Sequence, residues 1–278
     1  MGGRTSKVPK TWSTTTASFV QIGGLRIRYR VFGTGRPLLL IMGIGANLDM
    51  WQPLIPALAG HEVIAFDSPG TGGSATPRLP RSMRQNADVV RVLLDRLGLP
   101  AVDVLGLSWG GLLAQKFAID HPTRVRRLVL AATMPGWPSI PGRPSALRHL
   151  LSPKRYYSSA HFTEIAGDLY GGRVRQSPEV VLSQLQHRVT RPPSPSGYFA
   201  QIASTWTYSG LLSLHRVKAP TLVLAGNDDP IIPERNSLIF GRLIPNVTVE
   251  VVDGGHLFLL DGTPGVGERV ATFLESHH

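Results

Sequence analysis

Hydrophobic and polar positions change rhythm along this chain. Near the N-terminus the period is two: Leu25, Ile27, Tyr29 and Val31 alternate with Arg26, Arg28 and Arg30. With Phe19–Ile22 before them and Gly23-Gly24 between, these residues predict a β-hairpin on a two-residue glycine turn. Its second arm should have an apolar face and a basic, solvated face, as an antiparallel strand open to water on one side has. The alternation then gives way to short continuous apolar runs: Leu38–Ile41, Val63–Phe66, Val102–Leu107, Leu128–Ala132 and Thr221–Ala225. Such runs suit parallel strands covered on both faces.

Helical periods lie between the runs. Met83, Ala87, Val90, Leu94 and Leu97 recur at steps of three and four, and Gly98 stops that helix. A second helix runs from Trp109 to about Asp120, with Pro122 just beyond. Pro233–Leu243 and Pro264–Leu274 read likewise. Strands alternating with helices over short connections predict an α/β fold with a mostly parallel sheet.

From Thr133 to His215 the alternation breaks. Proline recurs, and ten Lys or Arg stand against three Asp or Glu between Thr133 and Lys218. The strand pattern resumes at Pro220-Thr221. Residues 133–215 are therefore expected to be a mostly helical lid inserted over the sheet, with 18–132 and 216–278 as the core. Met1 to Ala17, polar and carrying Arg4, Lys7 and Lys10, reads as a flexible basic leader without the apolar run of a signal peptide. No stretch of about 18 apolar residues predicts a membrane span. The glycosylation sequon Asn246-Val247-Thr248 is read as chance, and His277-His278 is set aside.

Composition narrows the chemistry. At 278 residues, 42% of them hydrophobic, the chain can bury a large core. With no cysteine it has no disulfide, no thiolate metal site and no cysteine nucleophile. The net charge of +11 predicts affinity for an anionic surface. Basic residues are not interleaved with aromatics as an RNA-binding sheet requires, so nucleic acid is not an expected partner. No metal-ligand spacing such as H-E-x-x-H occurs.

The candidate chemistry begins at Gly106-Leu107-Ser108-Trp109-Gly110, a G-x-S-x-G set between a buried strand and a helix. A turn that tight needs small residues on either side of the serine, and it lifts the Ser108 hydroxyl above the sheet at the positive end of a helix. A hydroxyl attacks only if a base takes its proton. Of nine histidines, His256 follows the alternating strand Val247–Val252 on the glycine-rich loop Asp253-Gly254-Gly255. His61, His121 and His149 read as ordinary surface residues, and His161, His187 and His215 fall in the insertion. The base needs a carboxylate to hold its tautomer. Asp228 and Asp229, after the strand Thr221–Ala225, both qualify. The backbone N–H of Trp109 is one expected oxyanion donor, and the loop Met42-Gly43-Ile44-Gly45-Ala46-Asn47 should supply the other. The glycine-rich Asp67–Ser74 lacks phosphate-loop spacing and reads as a structural turn.

Together these motifs resemble the α/β-hydrolase fold, and the resemblance runs from about Phe19 over nearly the whole chain. More closely, the chain is similar to the intracellular depolymerases of medium-chain-length poly(3-hydroxyalkanoate). The likeness lies in Gly43-Ile44-Gly45-Ala46-Asn47-Leu48, Ser108-Trp109-Gly110-Gly111, Ala225–Pro233 and Asp253–Leu259. Within the insertion it lies in Ser152-Pro153-Lys154-Arg155-Tyr156 and Leu169-Tyr170-Gly171-Gly172. The resemblance implies an eight-stranded, mostly parallel sheet with helices on both faces, and a cofactor-independent serine esterase. Ser108 would be its nucleophile, Asp229 rather than Asp228 its acid and His256 its base, with Trp109 and Ile44 as oxyanion donors. Met42 departs from the wider fold, which often carries His before the oxyanion glycine. The implied substrate is a hydrophobic polyester or acyl ester, and the implied location the cytoplasm, with granule surfaces as a candidate partner. A general carboxylesterase, a lipase or a C–C bond hydrolase would use the same triad. Trp137, Tyr156, Tyr157, Phe162, Tyr170, Tyr198, Phe199 and Trp206 are candidates for an apolar channel in the lid.

Overall fold

A computed structural model describes residues 11–276. Two strands, β1 (Ser18–Ile22) and β2 (Leu25–Phe32), form the hairpin, with Gly23 and Gly24 both at positive φ as a tight turn of this hand requires. The chain continues through β3 (Arg36–Ile41), β4 (His61–Phe66), α1 (Met83–Arg96), β5 (Val102–Leu107), α2 (Trp109–Asp120) and β6 (Val125–Ala131). Five helices follow: α3 (Pro144–Leu150), α4 (Ser159–Tyr170), α5 (Gly172–Gln176), α6 (Pro178–Thr190) and α7 (Pro195–Trp206). Then come β7 (Thr221–Gly226), α8 (Arg235–Leu243), β8 (Val247–Val252) and α9 (Val266–Glu275). The strands make one eight-stranded sheet in the order β1-β2-β4-β3-β5-β6-β7-β8, parallel except at the β1–β2 and β2–β4 pairings.

The continuous apolar runs are explained by two cores. Leu38, Leu40, Val63, Ala65 and Leu105 face one side, where α9 and part of the inserted segment cover them. Leu39, Ile41, Ile64 and Val104 face the other, against α1, α2 and α8. Local signals set the helix ends. Ser82 and Gln85 form a reciprocal capping box at the start of α1, and Gly98, at positive φ, follows its end. The prolines that break the alternation open helices: Pro144, Pro178 and Pro195 each stand first in α3, α6 and α7, where the missing N–H costs nothing.

The segment between β6 and β7 is closed at its neck. Trp137 N–H donates to the Tyr208 carbonyl (2.8 Å) and Gly210 N–H to the Pro135 carbonyl (2.8 Å), around an antiparallel bridge of Gly136 with Ser209. Beyond the neck, Phe162, Leu169, Val174 and Val181 share a hydrophobic cluster with Leu257 and Leu260 of the last loop.

Three expectations change. The basic face of β2 is solvated only at Arg26, because Arg28 and Arg30 are buried. The short 3-10 turn Leu48–Trp51 and the loop after β4 fold over them. Arg28 pairs with Asp49 (2.8 Å) and Asp67 (3.1 Å), and Arg30 with Asp49 (2.9 Å). Asp67 also accepts from the N–H groups of Leu48 and Gly73 (both 2.7 Å). Burial nevertheless lifts its carboxyl above the ordinary range, against the pull of Arg28 and these N–H groups. The leader expected over 1–17 does not extend through Trp12, which is buried edge-on against Phe32 with the Arg30 guanidinium over its ring. Residues 1–10 of that leader, and His277-His278, lie outside the described residues. His61 is not a surface residue but the buried first residue of β4.

Candidate active site

Ser108 occupies the turn from β5 to α2 with φ 56° and ψ −119°, a conformation that costs a non-glycine residue about 1–3 kcal/mol. Its neighbours hold it there. Ser108 N–H donates to the Ala131 carbonyl (2.9 Å), and its own carbonyl accepts from Gly111 N–H (2.8 Å) and the Thr133 hydroxyl (2.8 Å). The flanking glycines are steric necessities. A methyl group on Gly106 would strike the Gly110 backbone, and one on Gly110 would strike the Ile41 carbonyl.

Above this turn the loops after β7 and β8 meet. His256 Nε2 lies 2.9 Å from Ser108 Oγ, and its Nδ1 lies 2.7 Å from Asp229 Oδ2. The other oxygen of Asp229 accepts from Ile231 N–H (2.8 Å) and Ile232 N–H (2.9 Å), which fix the orientation of the carboxylate. An ionised acid at Nδ1 requires the ring proton there, which leaves Nε2 as an acceptor for the serine proton. The backbone of His256 is tied by its N–H to the Tyr170 carbonyl (2.7 Å), at the end of α4. Both side chains are buried.

Asp228 points elsewhere. It accepts from Arg175 (2.7 Å) and from Gly172 N–H (2.8 Å), and Arg143 stands 3.4 Å away. Partial burial works against its charge, but the Gly172 N–H and the two guanidinium groups outweigh it and hold the carboxyl below the ordinary range. Of the two adjacent acids, one faces the imidazole and the other fastens the inserted segment to the β7 loop.

Trp109 is the first residue of α2, where an N–H has no acceptor within the helix. The loop after β3 passes close by: a methyl group on Gly43 would lie 3.4 Å from Ser108 Cβ. Two residues of the inserted segment brace this loop. The Tyr156 hydroxyl donates to the Ile44 carbonyl (2.5 Å), and Gly45 N–H donates to Gln201 Oε1 (2.7 Å). A third residue, Ser204, accepts from Trp109 Nε1 (3.0 Å). Gln201 and Ser204 were not singled out from the sequence. Their only signal there is a polar residue on the inner face of a helix, which no spacing ties to the loop after β3.

Ser108 and His256 open onto a cavity of about 50 Å³, space for a few waters and far short of a medium-length acyl chain. Its walls are mostly apolar, among them Met42, Ile44, Met50, Leu150, Leu257 and Leu260. Of the aromatic candidates, Tyr156 and Tyr170 line it and Phe162 and Tyr198 are buried. Trp137, Tyr157, Phe199 and Trp206 are exposed. The guanidinium-bearing residues Arg155 and Arg188 also line the cavity, so two of the ten basic residues counted in this segment do not face solvent. Among the described residues no cluster of His, Cys, Asp or Glu could hold a metal ion, and no helix is long and apolar enough to cross a membrane.

A sequence model described as the alpha/beta hydrolase fold matches residues 36–263. A poly(3-hydroxyalkanoate) depolymerase of Ectopseudomonas oleovorans is 42% identical over 240 residues, covering 86% of this chain and 84% of that protein. A 3-oxoadipate enol-lactonase of Acinetobacter baylyi is 29% identical over 83% of this chain and 86% of its own length. Among solved structures, an enol-lactonase from Burkholderia xenovorans superposes with a TM-score of 0.81 at 21% identity, covering 93% of this chain and all of the other. That last likeness is one of fold.

Proposed function

The chain belongs to the alpha/beta hydrolase family, and from that premise we propose that it is a serine esterase cleaving an aliphatic polyester, medium-chain-length poly(3-hydroxyalkanoate). The observation that carries this reading is the unbroken hydrogen-bonded line from Ser108 Oγ through His256 to Asp229, at the carboxyl ends of β5, β8 and β7. In the reaction, Ser108 Oγ attacks the ester carbonyl while its proton passes to His256 Nε2. The oxyanion is received by the N–H groups of Trp109 and Ile44, each such donor being worth about 3–4 kcal/mol in the transition state. Collapse expels the alcohol, which takes the proton from His256. Water, deprotonated by the same imidazole, then cleaves the acyl-enzyme and releases the acid. Asp229 stabilises the imidazolium in both halves.

The substrate class is supported by the depolymerase relative and by the apolar cavity wall. Because the cavity is too small for the acyl chain, the segment between β6 and β7 acts as a lid that moves aside when substrate enters. Exposed Trp137, Phe199, Trp206 and Leu212 on that segment suit contact with a hydrophobic polymer granule, and the chain's excess of basic residues suits an acidic coat on such a granule. A second reading, an esterase or C–C bond hydrolase for small molecules, is favoured by the same cramped cavity and by the lactonase relative. Rates on suspended poly(3-hydroxyoctanoate) and on nitrophenyl esters separate them. Release of 3-hydroxyoctanoate supports the depolymerase reading; turnover of the nitrophenyl esters alone supports the second.

A further inference from the structure

Arg155 and Arg188 are each only 1% exposed, yet neither forms an ion pair with any Asp or Glu among the described residues. A buried cation ordinarily has an anionic partner, because its lost hydration is otherwise not recovered. Here the neighbours are aromatic. The Arg155 guanidinium lies 4.8 Å from the Tyr156 ring centre and 5.1 Å from that of Tyr198, and it donates to the Tyr198 hydroxyl (2.7 Å) and the Ser152 carbonyl (3.1 Å). Arg188 lies 4.6 Å from Phe162, 5.0 Å from Tyr156 and 5.2 Å from Tyr170, and donates to the Tyr170 hydroxyl (3.0 Å). Cation–π contacts and neutral hydroxyls replace part of the water. They leave the Nε atoms of both arginines buried without an acceptor.

These two cations share the cavity wall with Ser108 and His256. Tyr170 joins them to the reacting groups: its hydroxyl meets Arg188, and its ring stacks on the His256 imidazole with centres 6.2 Å apart. Two positive charges lacking a counter-ion, beside a nucleophile in an otherwise apolar chamber, make a site for a small anion that arrives with the substrate. We propose that Arg155 and Arg188 form a carboxylate subsite, so that the preferred substrate is an ester that also bears a free carboxylate. For a polyester this means the terminal unit of a chain or a short oligomer, rather than a bond in mid-chain. The proposal rests on the serine-esterase reading and refines it. Guanidinium groups suit the task, since their donors match the two oxygens of a carboxylate and their charge survives burial. The released 3-hydroxy acid carries the same anion and competes for the subsite. The Tyr170 hydroxyl, which meets Arg188, feels the same positive field. Burial raises that hydroxyl's pKa, but Arg188 and Arg155 outweigh it and bring it below the ordinary value.

The test uses the ester-linked dimer of 3-hydroxyoctanoate, as free acid and as methyl ester, with nitrophenyl octanoate as a neutral reporter. Cleavage of the inner ester is followed by chromatography. The free acid is expected to have a kcat/KM at least tenfold higher, mostly through KM, and octanoate to inhibit the reporter reaction at least tenfold better than octanamide. In Arg188→Met and Arg155→Met both ratios should collapse toward one, with Arg188→Lys in between; the ratios do not depend on how much overall activity the variants keep. Should a variant fail to fold, the two comparisons on the unaltered enzyme still decide. Equal cleavage of acid and methyl ester, with octanoate no better than octanamide, overturns the subsite while leaving the esterase reading intact. If none of the esters is cleaved, the esterase reading falls instead. Calorimetric titration with octanoate and octanamide then judges the subsite alone: preference for the acid upholds it, and equal affinity removes it.

Discussion

The loops at the carboxyl edge of the sheet and the segment inserted between β6 and β7 meet at one cavity, but they are held by different means. On the sheet side Ser108 and Asp229 are held largely by backbone N–H groups of their own loops, and His256 is tied through its backbone to the Tyr170 carbonyl of the inserted segment. Asp229 is gripped by the N–H groups of Ile231 and Ile232, and the Ser108 carbonyl by Gly111. On the inserted side the fixing contacts are remote. Tyr156 reaches Ile44, Gln201 reaches Gly45, and Asn47 donates to the carbonyls of His187 (2.9 Å) and Arg191 (3.1 Å). The difference divides the labour: backbone hydrogen bonds orient Ser108, His256 and Asp229, while long-range side-chain contacts shape the space around them and brace the loop after β3.

Perturbing either side sharpens this contrast. Ser108→Ala should lower turnover of nitrophenyl octanoate by about a millionfold and leave the thermal unfolding midpoint almost where it was. Residual activity within tenfold of the parent would place the chemistry elsewhere. Asp229→Asn should cost about 10⁴-fold in kcat, since the amide favours the wrong imidazole tautomer; steady-state rates across pH check it. Arg28→Met acts on the sheet but away from the cavity. It leaves Asp67 buried without its cation, and denaturant unfolding should show a loss of about 3–5 kcal/mol. The Asp67 pKa is already higher folded than unfolded, so its proton leaves more easily from the unfolded chain. Stability of the variant should therefore fall as pH rises through the folded Asp67 value, and be best retained below the ordinary 3.8.

On the inserted side, Gln201→Leu leaves the Gly45 N–H buried without its acceptor, a loss of about 1–3 kcal/mol. We expect roughly a tenfold fall in kcat with KM little changed, measured on the same nitrophenyl ester. Asp228→Asn should have the smallest effect, faster proteolytic nicking within residues 133–215 at unchanged kcat. In the parent, the depressed Asp228 pKa makes its contribution complete above the ordinary 3.8 and lost as pH falls through the lower folded value. Limited proteolysis along an acid series reads this directly.

The same contrast governs what the sequence made legible. A strand buried on both faces, a turn too tight for any Cβ at Gly106 or Gly110, and a capping box are local constraints, and local constraints leave local patterns. Ser108, His256 and the two competing acids could accordingly be found in the chain, and the fold with them. The residues by themselves leave Asp228 and Asp229 open; the family resemblance points to Asp229, and the directions of the two adjacent side chains agree with it. Arg28 and Arg30 read as a wet face because alternation reports the strand's own pleat and not the loops that later cover it. Trp12 reads as part of a loose leader for the same reason. Gln201, Arg155 and Arg188 owe their surroundings to helices and turns far apart in sequence, and a residue count says nothing of which cations are buried.

The closed neck at Gly136 and Ser209 has a consequence for how such a molecule can diverge. Since the polypeptide departs and returns at one point, sealed by two backbone hydrogen bonds, residues 137–208 form a cassette. Lengthening, shortening or grafting it leaves the register of β6 on β7 untouched, and each doubling of such a loop adds only about 0.6 kcal/mol of closure entropy. New specificities can thus be acquired by exchanging the cassette, provided that the replacement keeps the contacts Tyr156, Tyr170 and Gln201 make with the loops beneath it.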